Sequence, residues 1–224
     1  MGDKVVCAGG QNATKDAPDG TIVGTTDAQT LTNKTLTSPV IDGVASTALG
    51  VGAVNGTGVA ATEYGEGIVH KTVLTLTDHA IALSDEAGTV AYGGSKIYDM
   101  PEGAILTLGA TADLALTKSS AGVNDDWDGD FAIGTVTASN NASLASTEQD
   151  ILPTTATPQA SGGATTATGQ STATENAVLD GTGSAKDVYL NFLVDDADHD
   201  VNGTACNLIV NGTITLHWIN LGDY

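Results

Sequence analysis

Two short acidic runs are the places where this sequence gathers side chains of one chemical type closely enough to bind an ion. They are NDDWDGD at 124–130 and DDADHD at 195–200. Each contains Asp-x-Asp-x-Asp, the spacing by which carboxylates in a tight loop surround Ca²⁺. Neither completes an EF-hand, because the Gly and Glu required later in such a loop are missing. We therefore interpret both runs as solvated loops and expect the protein to bind no cofactor. If an ion does bind, the candidate ligands are Asp196, Asp198 and Asp200.

The sequence contains none of the motifs by which common catalytic sites are recognised. It has no GxSxG elbow, no phosphate-binding P-loop, no GxGxxG after a strand and no HExxH pair. The histidines are scattered, and His217, between Leu216 and Trp218, is expected to point away from the face that those two residues share. The sequence therefore predicts that the protein is not an enzyme.

The charge of the chain argues against one large class of partner. Asp and Glu number 27 against 7 Lys and no Arg, which gives a net charge of -20. A nucleic-acid-binding protein needs basic side chains to neutralise phosphates and release counterions, so this surface should be repelled by DNA and RNA. No apolar stretch approaches the ~20 residues that cross a bilayer, and the first residues lack the apolar run of a signal peptide. We expect cytoplasmic synthesis, with no nucleic acid and no membrane as partner.

Residues 1–65 are too poor in large apolar side chains to build a core. They include no aromatic residue before Tyr64, and apolar pairs such as Ile22-Val23 stand isolated among Gly, Pro and Asp. This composition is typical of an extended arm that a partner orders, or of a disordered tail. We favour an extended N-terminal arm, which at ~65 residues is able to reach on the order of 200 Å across neighbouring subunits.

Residues 66–224 have the pattern of a β-domain. Apolar residues alternate with period 2 at 188–194 and at 214–218, which places each set on one face of a strand. Strands of this length, separated by Gly, Asn, Asp and Ser, predict an all-β fold, an antiparallel β-sandwich with a jelly roll as the favoured architecture. Asn211-Gly212 predicts a type I′ hairpin turn, with a bulge inside one long strand as the alternative.

A second low-complexity stretch at 153–183 is rich in Thr, Ala and Gly. Such a sequence cannot bury a core, but it pairs well along the edge of another chain. We expect a surface loop that contacts a neighbouring subunit, with plain flexibility as the alternative.

Residues 25–43, TTDAQTLTNKTLTSPVIDG, resemble the TLTNKTL-type segment of tail-fibre, head-fibre and capsid-associated proteins of tailed bacteriophages. In such proteins the segment belongs to an attachment or trimer-forming part near the N terminus. Its alternation around one lysine, with a proline that ends any ladder, suits strand addition to another subunit. The resemblance implies seven protein-contact residues: Leu31, Thr32, Asn33, Lys34, Thr35, Leu36 and Pro39.

The C-terminal sequence, YLNFLVDDADHDV followed by NLIVNGTITLHWINLGDY, resembles the end of phage head decoration (cement) proteins, whose β jelly roll trimerises on the capsid. The resemblance implies a homotrimer whose arms clamp neighbouring major capsid protein subunits. It also implies a location on the outer surface of the virion, and the charge agrees, because packaged DNA would repel this chain from the interior. We expect a virion structural protein that stabilises the capsid.

Two other functions fit parts of this sequence. A head or tail fibre that attaches to a host would share the TLTNKTL segment, although no shaft repeat or heptad run is visible. A calcium-dependent carbohydrate-binding module would need exposed aromatic residues beside the acidic runs, and Trp127 is the evident candidate.

If the acidic runs are solvated loops, calcium leaves the purified chain unchanged. We expect no heat on calorimetric titration with Ca²⁺ and no shift of the melting temperature, because only an ion that binds the folded state stabilises it. A calcium-dependent rise in melting temperature that Asp198→Asn removes, and Asp126→Asn does not, would instead assign an ion to 195–200.

Overall fold

The structure, a computed structural model of the chain, describes residues 52–65, 68–86, 90–139, 143–171, 178–194 and 206–222. These stretches contain eleven β-strands and a 3-10 turn at Ser146–Glu148, and no α-helix. The strands are β1 (Ala53–Val54), β2 (Val59–Tyr64), β3 (Val69–Glu86), β4 (Val90–Asp99), β5 (Gly103–Lys118), β6 (Gly129–Gly134), β7 (Leu152–Thr157), β8 (Ala164–Gln170), β9 (Val178–Gly181), β10 (Asp187–Val194) and β11 (Cys206–Gly222).

The strands form two facing sheets in which every pairing is antiparallel. The front sheet has the order β2-β3-β11-β5-β8, and β9 also pairs with β5. The back sheet has the order β1-β4-β10-β6-β7. The end of β3 pairs with the start of β4 and joins the two sheets, while β7 and β8 lie side by side at the far edges. The sandwich is therefore nearly closed.

The pairing is nested, so that strands far apart in sequence become neighbours. β3 pairs with β11, β4 with β10, β5 with β8 and β9, and β6 with β7. When such a nested hairpin folds over on itself, its strand pairs alternate between two sheets. One sheet then has the order β3-β11-β5-β8 and the other the order β4-β10-β6-β7. This is the strand order of a jelly roll, and the all-β prediction is confirmed.

The core lies between the two sheets and is built by the alternation that the sequence predicts. Leu216 and Trp218 of β11 are buried while His217 between them is exposed, so the predicted orientation of His217 is confirmed. Burying side chains of this size contributes roughly 1.5–3 kcal/mol each. The largest fully buried side chains are Trp127, Trp218, Tyr98, Phe131 and Phe192.

The described residues between β6 and β7, 135–139 and 143–150, cover the outer face of the back sheet. Asn191 of β10 is fully buried beneath them, with its amide oxygen accepting from the Ala138 N–H at 2.8 Å. Its amide nitrogen donates to the carbonyls of Val136 and Glu148 at 2.9 and 2.8 Å. Leu193, the next outward residue of β10, is also buried there. Both faces of β10 are therefore covered, which its alternating pattern does not indicate.

The described end of the predicted arm, residues 52–65, belongs to the sheets. β1 pairs with β4 and β2 with β3, and Val59 and Ala61 pack against the core. The sheet thus begins before the expected boundary at residue 65. An edge strand added to a sheet that is already built needs only small inward side chains, so a coreless composition does not exclude it. The rest of the predicted arm lies outside the described residues.

The prediction of a surface loop at 153–183 is wrong, because the described residues of this stretch include β7, β8 and β9. These strands pair with this chain's own β6 and β5. Few apolar residues are needed because single inward side chains, Ala167 and Leu179, reach the core. Gly169 lies against the Phe131 ring, where an added Cβ would come within 2.7 Å of Cζ. Glycine at this position of β8 thus leaves room for the bulky Phe131 ring.

The Asn211-Gly212 pair lies inside the single strand β11, where the structure shows the alternative, a bulge, and not a hairpin turn. Gly212 has a φ of +133°, and an added Cβ would meet the Asp113 carbonyl at 2.1 Å. The Asn211 side chain bonds with Asp78 on β3, accepting from its N–H at 2.9 Å and donating to its carboxylate at 3.1 Å. The Asn211 side chain thus joins the bulge in β11 to Asp78 on the neighbouring strand.

Asn191→Ala should lower the free energy of unfolding by about 3 kcal/mol, because it leaves three buried backbone groups without their partner. Urea denaturation of the purified chain measures this. Asn207→Ala, at an exposed position on β11, is the matched control and should change stability by less than about 0.5 kcal/mol. Equal effects of the two substitutions would contradict the role given to Asn191.

Candidate functional site

The seven predicted contact residues and the three candidate metal ligands lie outside the described part of the chain. The former lie between Leu31 and Pro39, and the latter are Asp196, Asp198 and Asp200. Their roles stay predictions. The structure instead describes the segment that follows the predicted contact residues and the sandwich to which it is joined.

The acidic run at 124–130 is described, and its aromatic residue is part of the core. Trp127 is fully buried, and its indole N–H donates to the Gly163 carbonyl at 3.1 Å. The Asp125 carboxylate pairs with the Lys118 ammonium at 2.7 Å. Within the described ranges no three His, Cys, Asp or Glu side chains converge on a common point. Trp127 is therefore not the exposed aromatic residue that the carbohydrate-binding alternative needs.

The described histidines occupy three separate places in the front sheet. His70 stacks on Trp218 with ring centroids 4.0 Å apart, and the His79 Nδ1 lies 2.7 Å from the Thr57 carbonyl oxygen. These two lie about 30 Å apart along β3. His217 is on the outer face of β11. Each histidine thus belongs to its own local packing.

A chain of hydrogen bonds attaches the start of the described chain to the sandwich. The Gly52 N–H donates to the Tyr98 hydroxyl at 2.9 Å, and that hydroxyl donates to the Glu63 carboxylate on β2. The Thr72 hydroxyl also approaches Glu63, at 2.9 and 3.0 Å from its two oxygens. Thr72 in turn accepts from the Trp218 indole N–H at 2.9 Å. Side chains of two strands, β3 and β4, therefore converge on one carboxylate of β2.

The environment of Tyr98 favours its neutral, donating form. Burial raises the pKa of the Tyr98 phenol well above its ordinary value, and the hydrogen bond to the Glu63 carboxylate raises it further. Both causes have the same physical basis, since a phenolate here would lose hydration and face another anion. Tyr98 thus holds the segment that begins at Gly52 through a hydroxyl that stays protonated.

A second, more exposed group of bonds holds the same segment beside β1. The Asn55 amide donates to the Asp99 carboxylate at 3.1 Å, and the Lys96 ammonium pairs with Asp99 at 2.8 Å and with Asp187 at 3.4 Å. Partial burial alone would raise the pKa of Asp99, but the hydrogen bonds from Lys96 and Asn55 lower it below its ordinary value. Exposed ion pairs contribute little stability, so we assign the main attachment to Tyr98 and Glu63.

The outer face of the front sheet carries an apolar row formed by four strands. Val69 pairs with Ile219, Ile219 with Leu106, and Leu106 with Val178, so the four side chains lie side by side. Their sequence neighbours His70, Trp218, Ile105 and Leu179 are buried, which directs this row outward. Val69 is 50% exposed and Val178 58%. We call these four residues the apolar row.

Shallow depressions flank Gln170 on the same side of the molecule. The larger has a volume of about 330 Å³, and its lining includes Thr111, Ser171 and His217. The Ser171 hydroxyl is already engaged, because it accepts from the Ala110 N–H and donates to the Ile151 carbonyl. The Ser171 proton is therefore directed at the main chain and not at a side-chain base.

No protein-family model matches this chain, and no curated protein matches it. The described residues include no helix long and apolar enough to cross a membrane.

Alkaline pH should loosen the attachment at Tyr98. Because its pKa is higher in the folded than in the unfolded chain, the stabilisation is complete below pH ~10 and is lost as pH rises towards the folded value. Above pH ~10 this residue should therefore reduce the free energy of unfolding by up to about 1.4 kcal/mol per pH unit. Tyr98→Phe removes that part of the slope, which denaturation at pH 9 to 11 measures.

Tyr64→Phe is the control, because Tyr64 is exposed on the opposite face of β2 from Glu63. If Tyr98→Phe and Tyr64→Phe change the alkaline slope equally, the attachment does not depend on a neutral Tyr98.

Proposed function

We propose that this protein is a virion structural protein of a bacteriophage, a capsid decoration (cement) protein that binds the outer surface of the head. In this proposal three copies form a homotrimer, and their N-terminal arms clamp neighbouring major capsid protein subunits. The protein acts by mass action, because a ligand that binds the assembled shell better than free subunits stabilises the shell. Many modest contacts then add avidity.

One observation carries the proposal: the TLTNKTLTSPVI segment precedes, in the same chain, a jelly roll whose first described residues are attached to the sandwich. An arm that pulls on a capsid has to transmit its load to the domain. The bonds from Gly52 and Asn55 to β4 supply that connection. A freely hinged tail would need no such attachment.

The distribution of chemistry also supports a binding role over a catalytic one. The half-buried Glu63 and the buried Glu148 and Asn191 bond to backbone and side-chain groups of the protein itself. The strong negative charge favours a location outside a shell that contains DNA.

Copy number tests the assignment against the fibre alternative. In purified virions of the phage that encodes this chain, we expect hundreds of copies per particle by quantitative mass spectrometry, because decoration follows the shell lattice. A few copies per particle would place the protein at one vertex and favour a head or tail fibre.

Replacing Leu31 and Leu36 together with Asp should abolish binding to capsids built from the major capsid protein, because charged side chains oppose burial in an interface. Sedimentation with capsids measures binding, and circular dichroism checks that the domain stays folded. Thr26→Asp with Thr47→Asp, which adds the same charge outside the TLTNKTLTSPVI segment, is the control. Unchanged binding of the leucine variant would refute the arm's role.

A further inference from the structure

We infer that the outer face of the front sheet, which carries the apolar row toward one end, is the surface on which a second copy of this chain docks. The inference rests on the proposed function in one respect, since it supplies the subunit contact that the proposed trimer requires. Its evidence is separate, and comes from the registry and charge of the described strands.

The apolar row is not an isolated set of exposed side chains. Tyr64, 54% exposed, and Lys71 stand in the next row, with the Lys71 ammonium 5.5 Å from the centre of the Tyr64 ring. Ile68, 48% exposed, immediately precedes Val69. Contiguous apolar surface of this kind on a sheet marks a protein contact more often than scattered single residues do.

The charge on this face is unlike that of the rest of the chain. Next to the apolar row lie three further rows of outward side chains, each running across the paired strands. Their members on β3 are Lys71, Val73 and Thr75. Besides His217, the outward residues of these rows include one lysine, Lys71, and one carboxylate, Asp113, and the others are uncharged. Asp180, two residues beyond Val178 on β9, adds a second exposed carboxylate, so the face has a formal charge of -1 in a chain whose net charge is -20.

The small number of charges identifies the occupant. A basic partner would gain most from the acidic surfaces of the chain, so an apolar face with few charges would be the wrong place to bind it. A second copy has the same large negative charge, and for two such chains a face with few charges is where mutual repulsion is least. The apolar row then supplies the attraction, because its side chains lose contact with water.

The size of the face suits such a contact. Five strands and four rows span about 24 Å by 20 Å, which is on the order of 500 Å². A standard interface buries about 800 Å² on each partner, so this face would supply more than half of it. The front sheet face also differs from the back sheet, whose outer face is covered by residues 135–139 and 143–150.

The test measures the mass of the full-length chain by light scattering over a range of concentrations. We expect the wild type to associate, to three copies if the proposed trimer is right. Val69→Asp and Val178→Asp should each raise the dissociation constant at least about tenfold, because a charge would be buried without a partner. Val136→Asp is the matched control, since Val136 is 43% exposed and lies on the covering segment of the back sheet.

Circular dichroism establishes that each variant is folded. If Val69→Asp does not fold, Val178→Asp still tests the inference, because it lies on the four-residue edge strand β9. A wild type that is monomeric at all concentrations overturns the inference, and so does an oligomer that both Asp variants leave intact. If the wild type is monomeric and binds capsids, and Val178→Asp abolishes that binding, the face would be assigned to the capsid instead.

The same samples separate this inference from the proposed function. Association that depends on Val69 and Val178 supports the docking face even if the wild type binds no capsid, an outcome that would refute decoration alone. A dimer with the same dependence supports the face and contradicts the trimer.

Discussion

The pairing of β3 with β11 is the constraint on which the rest of this structure depends. These two long strands stand near opposite ends of the folded chain, and their ladder extends from Val69 to Leu83. Once they are paired, strands β4 to β10 are confined to the loop between them, and the next partners inward, β4 and β10, are brought together. The nested order and the jelly roll follow from that confinement, because each pair limits where the next can form.

The two sheets solve the problem of their outer faces differently. Residues 135–139 and 143–150 cover the back sheet, and buried Asn191 and Glu148 provide their backbone groups with partners. The outer face of the front sheet has Thr, Ala and Val along most of its length and the apolar row toward one end. The described segments thus cover one sheet and leave the apolar row of the other sheet exposed to solvent.

Much of the fold was accessible from the sequence, and the reasons for the exceptions are physical. Alternation at 188–194 and 214–218 predicted strands correctly, since inward residues there are large. The strands at 152–181 were missed because their inward residues are small, as at Ala167 and Gly169, and a Thr-rich composition does not separate edge strand from loop. The burial of both faces of β10 depends on residues about 50 positions earlier in the chain.

The candidate sites differ in the same way. A motif such as TLTNKTL is visible because it is contiguous, whereas the apolar row consists of four single residues from 69 to 219 that only strand registry brings together. Likewise, nothing local to Gly52, Glu63, Thr72 or Tyr98 indicates that one carboxylate joins them.

The nested pairing also has a consequence for how the protein is made. A ribosome that has released β3 must add more than a hundred residues before β11 emerges, and until then the long strand lacks its central partner. Contacts of such sequence separation form slowly, because loop closure has to precede any gain from pairing. During that interval β3 has an unpaired edge, and polar residues within it such as Thr75, Thr77 and Asp78 make such an edge less prone to aggregate than an entirely apolar one would be.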